Sequence, residues 1–364
     1  MLVNEIINYL NSVIPPRLQE NYDNSGLICG NPMQDTPALL ISLDCTEEIV
    51  EEALNLGCKL IVCHHPILFK PIKSITGKNY IEKTIIKAIK NDICIFSAHT
   101  NLDNISMGVN YKIGQKIGLN NLKILSPKED LLNKIVVFCP HNAADKVREA
   151  MFRAGAGNIG NYSDCSFNLQ GEGTFKANNE ANPYVGEKNI THKEPEIRIE
   201  VICASYNTNY IIQQMLKVHP YEEVAYDIYP LLNNWNTAGS GMIGSFNEPM
   251  PEQAFLALLK KQFHIPLIKH TARTNKPIKT VAFCGGAGSF LLKNAIDAGA
   301  DAYVSADFKY HEFFDAEGKI LIVDIGHYES EQFTPEILAD IIKKKFPTFA
   351  VHLTKINTNP VQYF

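Results

Sequence analysis

Two adjacent histidines, His64 and His65, close the apolar run of LIVCHHPILF. More candidate ligands gather in SAHTNLD (His99, Asp103) and DIGHYESE (Asp324, His327, Glu331), and Asp44 ends a further apolar run. Imidazole mixed with carboxylate suits a borderline divalent ion such as zinc, iron or manganese. His327 and Glu331 lie four apart, so a helix there places both on one face, whereas Glu329 points elsewhere. His64 and His65 cannot share one face of an ideal strand, but Pro66 lets the chain turn and offer both. Asp103 has two oxygens and can bridge. His64, His65, Asp103, His327 and Glu331 exceed the needs of one tetrahedral site. They suit a two-metal centre with positions left for water or substrate. His99 reads as a substrate acid/base or as a support for a ligand. Each residue also has an ordinary rival role: His327 with Glu331 as a surface helical pair, His311 and Glu312 as surface, His219 as a turn anchor.

Such residues need a scaffold, and the chain supplies one. Residues 38–44 and 59–63 read as strands around a helix at 46–57, followed by a helix over 79–91 and a strand entering SAHTNLD. The same alternation returns in 279–289, 301–307 and 319–327, with a helix over 330–346 and a last strand in 349–356. Apolar strands covered by helices indicate α/β layering, and the candidate ligands fall at strand C-terminal ends, where such sheets place their sites. Between these halves the order of elements predicts a βαβ–βαβ module of ferredoxin-like type. The expected division is 1–129 for the first part of the core, 130–270 for the insert and 271–364 for the second part. Residues 171–195 read as an exposed loop, and AGSGMIGSF (238–246) as a loop or bulge between domains.

Weaker motifs surround the cluster. Asp23 or Asn24 in YDNSGLICG could fix a histidine tautomer or only cap a turn. CGGAGS (284–289) follows a strand and could cradle an anion, or be a turn that needs glycine. No Walker A, complete G-x-G-x-x-G or GxSxG sequence is present.

Composition narrows the class. The chain has 364 residues, of which 45 % are hydrophobic, enough for two domains. A net charge of −5 and no basic tract disfavour nucleic acid. Neither a secretory leader nor a membrane-length apolar run is evident, so the expected location is the cytoplasm. Nine cysteines without a CxxC pair read as small buried hydrophobes.

With these motifs in view, YDNSGLICG, CHHPILF, SAHTNLD, GGAGS and DIGHYESE together resemble the NIF3-like dinuclear metal proteins, known as GTP cyclohydrolase 1 type 2 homologs. GEGTF and HPYEEVAYDIYPL resemble the PII/CutA-like insert of the longer bacterial members. The resemblance covers nearly the whole chain. It implies an α/β core of two lobes interrupted by an α+β insert, with metal ligands at His64, His65, Asp103, His327 and Glu331. It also implies two divalent ions per chain (Zn, Fe or Mn) and a toroidal homohexamer. The activity it implies is metal-dependent hydrolysis, whether GTP ring opening or phosphoester or nucleotide cleavage; a metal-binding regulator or adaptor is the non-enzymatic alternative.

Overall fold

The computed structural model describes residues 1–364, which divide into two compact units: 1–127 with 236–364, and 128–235. The larger unit holds two sheets. In the first, the strands Cys94–Ser97, Leu60–Cys63, Ala38–Ser42 and Ala350–Leu353 run parallel in that order, and Gly26–Cys29 pairs antiparallel outside Cys94–Ser97. In the second, Leu321–Asp324, Ala302–Ala306 and Ile278–Ala287 form a parallel centre. Lys269–His270 flanks it on one side, Trp235–Met250 and Asn120–Lys128 on the other.

Both faces of each central strand are buried, so alternate residues feed different cores. Leu39, Ile41, Leu60, Val62 and Phe96 of the first sheet share one core with Val281, Phe283, Val304, Leu321 and Val323 of the second. The helices Val3–Val13, Val109–Ile117, Glu252–Gln262 and Thr334–Lys345 contribute their apolar stripes to this shared layer. The other face of the first sheet packs under Glu47–Asn55 and Tyr80–Lys90. Thr46 and Asn79 cap those two helices, each accepting a hydrogen bond from a backbone N–H in the first turn. The outer face of the second sheet is covered by the short helix Leu292–Asp297 and its neighbours.

The smaller unit follows the ferredoxin-like order. Leu132–Pro140, helix Ala144–Arg153, Phe167–Lys176, Thr191–Ala204, helix Thr208–Leu216 and Tyr226–Leu231 succeed one another. All three strand pairings are antiparallel, with Leu132–Pro140 and Thr191–Ala204 central. The two helices cover one face.

Three expectations differ from what is seen. The smaller unit ends at 235, not 270, because Trp235–Met250 pairs with Ile278–Ala287 and Glu252–Gln262 joins the shared core. AGSGMIGSF is strand rather than loop. Its glycines admit close neighbours: a Cβ at Gly244 would lie 2.7 Å from Leu122 Cδ2. Residues 171–195 are largely a hairpin, since Gly171 to Lys176 pair with Thr191 to Glu196 and only the tip is irregular.

Candidate metal centre

Strand Leu60–Cys63 stops just before the histidine pair. The backbone N–H groups of His64 and His65 both donate to the carbonyl of Leu43, at 3.0 Å each. That sharing breaks the strand alternation, and the two rings come together with centroids 5.0 Å apart. Asp103 ends the short helix Thr100–Asp103, which follows strand Cys94–Ser97. His327 and Glu331 open and close the helix His327–Glu331, one turn apart as the spacing predicts, with Nε2 3.2 Å from Oε2.

Four imidazoles are held by Nδ1. His64 donates to the Ala98 carbonyl at 2.7 Å, and His65, His99 and His327 pair with Asp44, Asp23 and Asp307, each at 2.7 Å. An acceptor on Nδ1 fixes the proton there and leaves the Nε2 lone pair for a ligand. The Nε2 atoms of His64, His65 and His327 face carboxylates. His65 Nε2 lies 2.9 Å from Glu331 Oε2 and 3.3 Å from His327 Nε2, while His64 Nε2 lies 3.6 Å from Asp103 Oδ1 and 3.8 Å from Glu331 Oε1. Their ligand atoms form three overlapping groups of metal-binding size: His64, His65 and His99; His65, His327 and Glu331; and His64, Asp103 and Glu331. All five residues expected as ligands therefore converge, from both sheets of the larger unit, with His99 beside them.

Electrostatics fit a cation. His64 Nε2 and Asp103 Oδ1 are buried without a hydrogen-bond partner, a costly state for two polar atoms facing one another. Burial and the nearby Glu331 charge push the Asp103 carboxyl up to about 8. Burial also disfavours the Glu331 carboxylate, but His327, His64 and His65 outweigh it and hold that group well below the usual range. Burial disfavours a charged His65, yet Asp44 and Glu331 raise it to about 10; in the same way Glu331 and Asp307 raise His327 to about 11. A donor set of imidazole nitrogens and carboxylate oxygens, at this density, fits zinc, iron or manganese.

Glycine shapes the opposite wall. The N–H of Gly285 donates to Asn110 Oδ1 and that of Gly286 to Ser330 Oγ, so the CGGAGS turn spends these donors on side chains from two helices rather than on an anion. A cavity of about 380 Å³ opens beside the cluster, lined among others by Tyr22, Phe69, His99, Asp103 and Phe290.

The remaining candidates fall elsewhere. Asp324 binds the N–H groups of Phe308 and Gly326 and pairs with Lys269 at 2.6 Å, so it is structural. Asp44 orients His65 instead of joining the cluster. Asp23 fixes His99, and Asn24 donates to the Leu68 carbonyl. His219 anchors a turn through Phe138 and Tyr221, and Glu312 accepts from the Lys309 N–H. Sequence reasoning missed Asp307. It holds His327 Nδ1 and sits just after strand Ala302–Ala306, so the strand-end rule that picked out the candidate ligands could have found it.

Comparison with known proteins places the chain in a family. The model of the family described as Duf34/NIF3 (NGG1p interacting factor 3) matches residues 1–360. A Halalkalibacterium halodurans protein named GTP cyclohydrolase 1 type 2 homolog is 39 % identical over 355 residues, covering 96 % of this chain and 95 % of its own. A Staphylococcus epidermidis protein of the same name is 33 % identical over 368 residues, covering 100 % of both. Among solved structures, a Bacillus cereus protein related to NIF3 superposes with a TM-score of 0.88 at 36 % identity, covering 100 % of this chain and 99 % of its own.

Proposed function

The chain belongs to the Duf34/NIF3 family, and from that premise we propose that it is a metal-dependent hydrolase with a dinuclear centre. His64, His65, Asp103, His327 and Glu331 would hold the two divalent ions, and the two oxygens of Asp103 would let it serve both. The observation that carries this reading is the pair of buried, unpartnered atoms His64 Nε2 and Asp103 Oδ1, beside His64, His65 and His327, whose Nδ1 atoms are each held by an oxygen acceptor. Divalent ions bound there supply Lewis acidity toward a water and toward the bond to be cleaved.

The protein's own groups do the rest. Asp44 and Asp307 keep His65 and His327 in the tautomer that offers Nε2. His99 donates Nδ1–H to Asp23, so its Nε2 accepts a proton from the attacking water and returns it to the leaving group. Tyr22 and Phe69, with ring centroids 6.1 Å apart, wall the cavity and give a flat substrate ring an apolar surface.

The name shared by the relatives makes GTP the first substrate to test, with one water adding at C8 to open the purine ring by breaking one C8–N bond and a second hydrolysing the resulting formamide, so that C8 leaves as formate. Phosphoester or nucleotide cleavage is the second reading, and the same two-ion chemistry supports it. The open cavity beside the cluster favours turnover over a closed structural or regulatory site. The test is formate release from GTP, run beside a panel of phosphoesters and nucleotides on metal-loaded protein. Turnover of any member, lost in a His64→Ala, His65→Ala double variant, supports the reading; full ion loading with no turnover across the panel contradicts the hydrolase and leaves a metal-binding regulator. The same reading includes a ring of six copies acting in the cytoplasm, for which the mass of the assembly in solution is the check.

A further inference from the structure

The segment after strand Ala350–Leu353 has no regular secondary structure, yet it is tied down residue by residue. Thr354 N–H donates to the Ile41 carbonyl at 2.9 Å and Lys355 N–H to Glu52 Oε1 at 3.0 Å. Thr358 Oγ1 then donates to Asp44 Oδ2 at 2.5 Å, and the other oxygen of that carboxylate meets His65 Nδ1 at 2.7 Å. The next residue, Asn359, donates from Nδ2 to Glu329 Oε1 at 3.1 Å. Glu329 is only 7 % exposed and lies on the helix that carries His327 and Glu331.

Two consecutive residues therefore touch the supports of ligands from different sheets. Thr358 reaches the acceptor behind His65, on the first sheet's side, and Asn359 reaches the ligand-bearing helix of the second. Local turns set their spacing: Asn359 N–H donates to Asn357 Oδ1 at 2.9 Å, and Asn359 Oδ1 accepts from Val361 N–H at 3.0 Å. Glu329 is confined from its other side by Gly326, where a Cβ would strike its Oε2.

We propose that Thr358 and Asn359 are positioning residues of the metal centre, a strap that keeps the histidines of one sheet in register with the histidine and glutamate of the other. The inference rests on the metal reading above. Ions tolerate ligand distances only within about 0.2 Å, and this segment joins the two groups of candidate ligands through adjacent residues. The hydroxyl of Thr358 also occupies the second oxygen of Asp44, which leaves Oδ1 for His65 and fixes the plane of that imidazole.

The test is titration of the ion-free protein with cobalt(II), followed by visible absorption against a competing chelator, with melting of the ion-free chain measured in parallel. Thr358→Val keeps the shape and removes the hydroxyl, and Thr358→Ser keeps the hydroxyl. Thr358→Val and Asn359→Ala are expected to weaken cobalt binding about 10- to 100-fold, on the scale of lost outer partners. Thr358→Ser is expected to restore the wild-type affinity and spectrum. Thr358→Val and Asn359→Ala variants that bind as the wild type does, or a Thr358→Ser variant as defective as Thr358→Val, would overturn the strap alone. So would a lower melting temperature with unchanged cobalt affinity. A wild-type chain that takes up no cobalt overturns the metal reading and the strap with it.

Discussion

Gly286 and Glu331 leave each other no spare room: a Cβ on residue 286 would run into Glu331 Oε1 and lie 3.3 Å from His327 Cε1. Its φ of +60° is a second reason for glycine, since L side chains rarely adopt it. Gly286→Ala is therefore expected to do two things. It strains the backbone, by about 1 to 3 kcal/mol, and it displaces a carboxylate of the cluster. Ion content measured on purified protein should fall well below that of the wild type while the chain still folds. Full ion content in the variant would show that Glu331 is not held where the ions bind.

Asp307 contacts His327 Nδ1 at 2.7 Å from an exposed position outside the core. Removing it with Asp307→Ala frees the ring to turn and frees its tautomer, at little expense to folding. The expected result is about 10- to 100-fold weaker metal binding with a melting temperature near that of the wild type. Chelator competition reads the first quantity and calorimetry the second.

His99 separates binding from chemistry. Its ring packs edge-on to His64 at 5.2 Å and His65 at 5.5 Å, but its Nδ1 belongs to Asp23. His99→Ala is expected to keep both ions and to lose about 10²- to 10⁴-fold in turnover, the range of a lost general acid/base. Loss of one ion instead would make His99 a ligand.

Acid should strip the centre. In the ion-free chain the His65 and His327 rings are raised to about 10 and about 11, and the Asp103 carboxyl to about 8. All three hold a proton at neutral pH, and each must release it before its nitrogen or oxygen can bind a cation. Uptake therefore expels protons, so affinity rises with pH and falls as the solution is acidified. Calorimetric titrations in two buffers of different ionisation enthalpy count the protons directly; uptake without proton release would contradict this assignment.

The candidate ligands were legible because they follow strand ends or share a helix turn. His64 and His65 follow directly on an apolar strand, and His327 and Glu331 share a helix turn. What orients them was less so. Asn110 supports Gly285 from 175 residues away, and Thr358 reaches Asp44 across 314; only the folded chain brings such pairs together. Glycine misled in the other direction. In AGSGMIGSF it marks close packing inside a strand, but the same residues in isolation signal a loop. The insert boundary was set at 270, but the strand at 235–250 and the helix that follows it belong to the larger unit, which only the pairing with Ile278–Ala287 shows. Asp307 alone was within reach and missed.

The most direct test of the central claim is the metal content of the protein after reconstitution with zinc, iron or manganese, measured by elemental analysis beside the His64→Ala, His65→Ala variant. About two ions per wild-type chain are expected, with a large loss in the variant. Fewer than one ion per wild-type chain, or equal loading of both proteins, would contradict it.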